Sequence, residues 1–150
     1  MLIAGDIGGT KTELAIFSNE GGPHSSLAQV KVHSADYPSL EVIVKEFLAK
    51  VSKPVDRACF AVAGPVIGGR VKTTNLPWMI EDISLARELN LNLKSVFLIN
   101  DLGGVPCLTE QRTRPVRIRI PKHVGNSRLG APARFLIVVR ACVGGQRNQK

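Results

Sequence analysis

Residues 1–17 read MLIAGDIGGTKTELAIF, and this stretch sets the reading of the whole chain. Apolar Met1 to Ala4 and the run Glu13 to Phe17 have strand character, and Gly8-Gly9 between them is a turn signal, so the segment spells a hairpin. Its corner is Gly5-Asp6-Ile7-Gly8-Gly9-Thr10. Paired glycines let the backbone reach positive φ and come close to a ligand, so that N–H groups and the Thr10 hydroxyl can face phosphate oxygens. Asp6, at the strand end, is suited to hold Mg²⁺ directly or through water, because magnesium keeps several waters and leans on few protein carboxylates. Lys11 adds charge. The competing reading is a plain hairpin turn with an incidental carboxylate. The spacing matches neither the dinucleotide pattern GxGxxG nor the P-loop GxxxxGK[ST].

Working outward, Leu27 to Val32 alternates as a third strand after the loop residues Gly21-Gly22-Pro23. Ser39 precedes Leu40, Val44, Phe47, Leu48 and Val51, which recur at helical spacing. Arg57 to Ala63 is short, almost wholly apolar and stopped by Gly64-Pro65, as expected of a strand buried on both faces near the middle of a sheet. Glu81 to Leu89 reads as a second helix, and Ser95 to Ile99 as a last buried strand ending at Asn100-Asp101. The order β-β-β-α-β-α-β predicts an α/β fold: a mixed sheet with three antiparallel leading strands, parallel strands after them and flanking helices. Ligands of such sheets gather beyond the carboxyl ends of the parallel strands.

The formal net charge of the 150-residue chain is +8, but it is unevenly placed. Residues 1–102 carry 10 Lys and Arg against 11 Asp and Glu, whereas residues 103–150 carry 10 against one, Glu110. Pro106, Pro115, Pro121 and Pro132 also interrupt every potential helix of the basic segment. Apolar runs such as Phe135 to Val139 are far short of the roughly 20 residues of a bilayer-spanning helix. Neither membrane nor export is expected. Cys59, Cys107 and Cys142 offer no Cys-x-x-Cys pair or histidine cluster for zinc and no disulfide framework, which makes a cytoplasmic setting the default.

Asn100-Asp101 ends a buried strand where a carboxylate can accept a proton from an alcohol, although both residue types also cap helices well. Gly64-Pro65 and Thr74-Asn75-Leu76-Pro77-Trp78 enclose a short hairpin, roughly residues 66–73, at the rim of the same edge. Together these four segments resemble the bacterial glucokinases of the sugar kinase, actin and Hsp70 superfamily: Gly5 to Thr10, Asp36-Tyr37-Pro38-Ser39-Leu40-Glu41, Ala61 to Val66 with Thr74 to Trp78, and Leu98-Ile99-Asn100-Asp101. Lys11-Thr12-Glu13 is similar to the ROK branch. The resemblance covers residues 1 to about 102, the first of two lobes in such kinases, and implies a ribonuclease-H-like fold.

By the resemblance, Asp101 is the catalytic base toward the glucose 6-hydroxyl and Asn100 binds the sugar. Asn75 is a further hydroxyl partner, and Trp78 is either a pocket wall or core. Gly5, Asp6, Ile7, Gly8, Gly9 and Thr10 bind ATP, with Asp6 the metal residue for Mg²⁺. Family members also carry a second glycine-rich phosphate motif, of AGTGLG type, a Glu-rich sugar site and an adenosine pocket, none of which is found in residues 103–150. Three readings of that segment stay open: an out-of-frame product, a divergent native tail, and a nucleic-acid arm, the last disfavoured because Phe135 is its one aromatic residue. The function expected is glucose phosphorylation by ATP, weak or absent in this chain, with a non-catalytic sugar-binding remnant as the alternative. Self-association through an exposed lobe interface is expected as well.

Overall fold

The computed structural model describes residues 1–18 and 26–100. Five strands form one sheet: β1 (Leu2–Ile7), β2 (Lys11–Phe17), β3 (Ser26–His33), β4 (Arg57–Val62) and β7 (Val96–Asn100), in the order β3-β2-β1-β4-β7. β1 pairs antiparallel with β2, and β2 with β3, while β4 lies parallel to β1, and β7 to β4. This is the mixed sheet expected from the sequence. β1, rather than β4, holds the centre, and the composition of β1 fits that place. Ile3 and Ile7 face one layer, Leu2 and Ala4 the other, and all four are buried.

Two helices cover the first layer. In α1 (Leu40–Val51) the buried residues Leu40, Ile43, Val44 and Phe47 recur every three or four positions, so one stripe meets the sheet. Its C-cap, Ser52, is left-handed at φ 51, a place glycine usually takes, and its N–H closes on the Leu48 carbonyl at 2.9 Å. The second helix, α2 (Asp82–Glu88), buries Leu85 and Ala86. Asn90, at φ 53, and Leu91 finish it with N–H bonds to the carbonyls of Arg87 and Ala86, a Schellman ending. β3 lies at the edge beside β2, and its residues alternate between half-buried and exposed, because only Ala28, Val30 and Val32 reach the helix-side core. That is the period-two pattern its sequence shows.

The sequence reading places a hairpin within residues 66–73, where the structure has a tight turn, and starts the second helix at Glu81, where the structure differs. Ile67 and Arg70 exchange two backbone bonds around Gly68-Gly69, whose φ values of 56 and 74 suit a two-residue hairpin loop. The chain then continues as β5 (Arg70–Lys72), which pairs antiparallel with β6 (Met79–Glu81) as a separate two-stranded sheet. Three-residue strands carry too little periodicity to be read from sequence. Glu81 closes β6 and pairs with Arg70 at 2.9 Å, so the helix begins one residue later. Among the described residues, no helix is long and apolar enough to cross a membrane.

Candidate active site

The parallel strands β1, β4 and β7 end on one edge of the sheet. Ile7 pairs with Val62, and Val62 with Asn100, so the three residues stand on one rung. The Gly8-Gly9 turn leaves β1 directly after Ile7, and Asn100 lies two strand spacings away, roughly 10 Å across the edge. Asn100 and the turn therefore share the carboxyl end of the sheet. Strand alternation puts Asn100 on the helix-covered side with Val96 and Leu98, and Asp6 on the other side with Leu2 and Ala4. Asp101, the residue read as the base, lies outside the described residues.

The six residues of the corner divide into two jobs. Gly5 and Ile7 belong to the interior. A Cβ at Gly5 would stand 2.6 Å from Cδ1 of Phe60 and 2.9 Å from a methyl of Leu14, and Ile7 is 1% exposed. Asp6 is half-buried, and Glu13, its register partner on β2, forms an ion pair with Lys31. Gly8, Gly9 and Thr10 form the turn itself. Gly8 N–H donates to the Lys11 carbonyl at 2.9 Å, but the return bond of a regular two-residue hairpin is missing among the described residues. No backbone carbonyl among the described residues takes the N–H of Gly9 or Thr10. Thr10 and Lys11 are exposed. Two backbone donors, a hydroxyl and an ammonium thus surround a turn at the carboxyl edge, a donor set suited to phosphate oxygens.

Asn75 comes to this turn from the loop between β5 and β6. A Cβ at Gly9 would stand 2.6 Å from Cβ of Asn75 and 3.0 Å from its Nδ2, so the Asn75 amide lies against Gly9. The loop is held by Thr73, whose hydroxyl donates toward the carbonyls of Leu76 at 2.9 Å and Trp78 at 3.2 Å. Trp78 is 3% exposed within the main core, and its Nε1–H donates to the Tyr37 carbonyl at 3.2 Å. Of its two sequence readings, the core reading describes it. Its indole N–H ties the 73–78 loop to the segment that carries Tyr37.

That segment holds a residue the sequence reading passes over, Ser34, which meets Thr12 of β2. Ser34 is fully buried; its hydroxyl donates to the Gly8 carbonyl at 2.9 Å, and its N–H donates to the Thr10 carbonyl at 2.9 Å. Thr12, also fully buried, lies 3.0 Å from the Ser34 hydroxyl. Ser34 has one hydroxyl proton, given to Gly8, so Thr12 is the donor in the shared bond. The available signal is Thr12 itself, a hydroxyl in a strand otherwise apolar on that face, which must find a partner when buried. Nothing in the sequence says that the partner stands 22 positions away.

Comparison with known proteins agrees with this architecture. The family model for glucokinase matches residues 3–126. The match continues past Leu102, where the motif resemblance ends, and so takes in part of the basic segment. A glucokinase of Nostoc punctiforme is 40% identical over 129 residues, which cover 81% of this chain and 37% of that protein. A glucokinase of Nostoc sp. is 42% identical over 109 residues, 70% of this chain and 31% of that one. Among solved structures, a glucokinase from an Antarctic psychrotroph superposes with a TM-score of 0.58 at 29% identity, covering 69% of this chain and 33% of its own. A ROK family glucokinase from Streptomyces griseus, in complex with glucose and AMPPNP, gives 0.50 at 25% identity, covering 69% and 34%. The chain thus spans about a third of the length of these relatives. With its sheet order, its turn and its matched residues, the chain belongs to the glucokinase family.

Proposed function

We propose that residues 1–102 supply one half of a glucose kinase site: the sugar-binding and proton-accepting corner at Asn100-Asp101, and the turn that receives ATP phosphates at Gly8-Gly9-Thr10. One observation carries this reading. The rung Ile7–Val62–Asn100 sets the glycine turn and the Asn100 corner on the same sheet edge, at a separation comparable with a hexose and the phosphoryl group it would receive. In the reaction, Asp101 takes the proton of the 6-hydroxyl as that oxygen bonds to the γ-phosphorus and the bond to the ADP oxygen breaks. Asn100 and Asn75 hold sugar hydroxyls. Backbone donors of the turn offset charge on the phosphoryl oxygens.

Magnesium fits the residues present. Asp6 is a strand-end carboxylate near an exposed phosphate turn, and no cluster of three or more metal-ligating side chains occurs among the described residues. Such a site suits an ion that keeps its waters and shares the substrate's phosphates. When bound, Mg²⁺ would neutralise phosphate charge. A cytoplasmic setting, where glucose and ATP meet, belongs to the same reading.

Phosphoryl transfer needs two lobes to close over the nucleotide. The 150-residue chain by itself is therefore expected to show turnover below detection in a coupled assay. To test the half-site directly, residues 1–126 are fused to the remainder of the Nostoc punctiforme glucokinase. The chimera should phosphorylate glucose, and Asp101→Asn should lower its kcat by on the order of 10²- to 10⁴-fold with glucose affinity little changed. Full activity in the Asn variant would remove Asp101 from the role of base. The short coverage of the relatives favours one second reading, a sugar-binding domain without turnover. Calorimetric glucose binding by the chain that is lost in Asn100→Ala, with no activity in the chimera, would select it.

A further inference from the structure

The turn that receives phosphate in the proposed reaction is held from below by Ser34, and the way it is held determines where its N–H groups point. Resting on that reading, we propose that Ser34 is a positioning residue for phosphate binding: its hydroxyl takes the Gly8 carbonyl inward and so presents the Gly9 N–H to the ligand.

In a trans peptide the C=O of one residue and the N–H of the next point in opposite directions. Ser34 Oγ–H donates to the Gly8 carbonyl at 2.9 Å, which directs that carbonyl into the protein, and the Gly9 N–H of the same plane must then face away from it. In a regular two-residue hairpin the Gly8 carbonyl would instead accept from Lys11 N–H and close the loop. That bond is missing among the described residues, and the serine hydroxyl takes its place. The Ser34 N–H fixes the Thr10 carbonyl in the same inward sense at 2.9 Å. Both carbonyls that flank Gly9 are thus tied to one buried residue, while no backbone carbonyl among the described residues takes the N–H groups of Gly9 and Thr10.

Thr12 orients Ser34. Its hydroxyl donates to Ser34 Oγ at 3.0 Å, which leaves the serine proton for Gly8. Among the described residues no buried side-chain N or O lacks a partner, so the three-group chain Thr12–Ser34–Gly8 is complete without water. Asn75 also lies against Gly9 and limits how far the turn can move toward it. The turn is held by contacts made before binding, and donors preset in this way do not have to be ordered by the ligand.

The experiment is a titration of the 150-residue chain with magnesium tripolyphosphate and, separately, glucose. It follows amide resonances of Gly8, Gly9 and Thr10 and records turn amide hydrogen exchange without ligand. Ser34→Ala should raise the tripolyphosphate dissociation constant at least tenfold, leave that of glucose within about twofold, and speed exchange at the turn at least tenfold. Thr12→Val, which leaves the Ser34–Gly8 bond in place, should change tripolyphosphate affinity no more than about threefold. Should Ser34→Ala fail to fold, Ser34→Cys keeps a weak donor at the position and should show an intermediate loss. Unchanged phosphate affinity and exchange in the serine variants overturn the proposal, as does equal weakening of phosphate and glucose, which is what a merely structural serine would give. A wild-type chain that binds glucose but shows no tripolyphosphate response at the turn fails differently: it removes the phosphate role of Gly8-Gly9-Thr10 itself, and Ser34 with it.

Discussion

Gly5 and Gly9 stand four positions apart in one short stretch of sequence, yet they are glycines for opposite reasons. At Gly5, inside β1, a side chain would collide with Phe60 and Leu14 of the core. At Gly9 it would collide with Asn75, an exposed loop residue lying against the turn. The strand half of the corner is packing, and the turn half is donor geometry. A stretch that looks like one unit of function therefore divides into a part that builds the sheet edge and a part that, in the proposed reading, faces phosphate. Only substitutions made separately in the two halves can tell them apart.

The largest effect expected falls in the strand half. Ile7→Ala should cost about 3 kcal/mol of stability by leaving a cavity beside the sheet centre, read from urea denaturation. A loss under about 1 kcal/mol would show that β1 is not packed as described. Next, Gly5→Ala should cost about 2 kcal/mol through overpacking against Phe60, with tripolyphosphate affinity of the folded protein unchanged. A selective loss of affinity there would erase the division between the halves. Gly9→Ala should do the reverse, with a tenfold loss of tripolyphosphate affinity, about 1.4 kcal/mol, and a stability change below about 1 kcal/mol. If it unfolds the protein without that selectivity, the turn is structural. The smallest effect sharpens the boundary: Glu13→Gln removes the surface pair with Lys31 and should shift stability by no more than about 0.5 kcal/mol, less still at raised salt, by thermal melts.

Much of the fold was legible because its signals are local. The hairpin, the apolar run of β4 and the stripe Leu40, Val44 and Phe47 each follow from residues within one element. That β1 and β7 end on one edge follows from strands running parallel, which the alternation of helices and strands already implied; the register that puts Ile7 and Asn100 on one rung came from the structure. The small β5–β6 sheet was only partly visible, since Gly68-Gly69 marks its loop but Met79–Glu81 has no readable period. Trp78 kept two readings in the sequence, because a large aromatic ring is drawn both to a pocket wall and to a core; the bond from its indole to Tyr37 places it in the core. The site was legible as a set of segments and not as a set of contacts. Asn75 against Gly9, and Ser34 beneath Gly8, join residues that no spacing rule relates.

Local signals in the sequence set the five main strands and two helices, their mixed parallel order, and that a glycine turn and Asn100 end strands of one sheet. Periodicity and turn chemistry act over a few residues, so a single chain carries them in full. Tertiary structure alone decided which buried hydroxyl meets which carbonyl, and so which amide of the turn faces outward. Those pairings cost nothing to propose and much to satisfy: a hydroxyl removed from water must find its partner wherever the folded backbone brings one within reach.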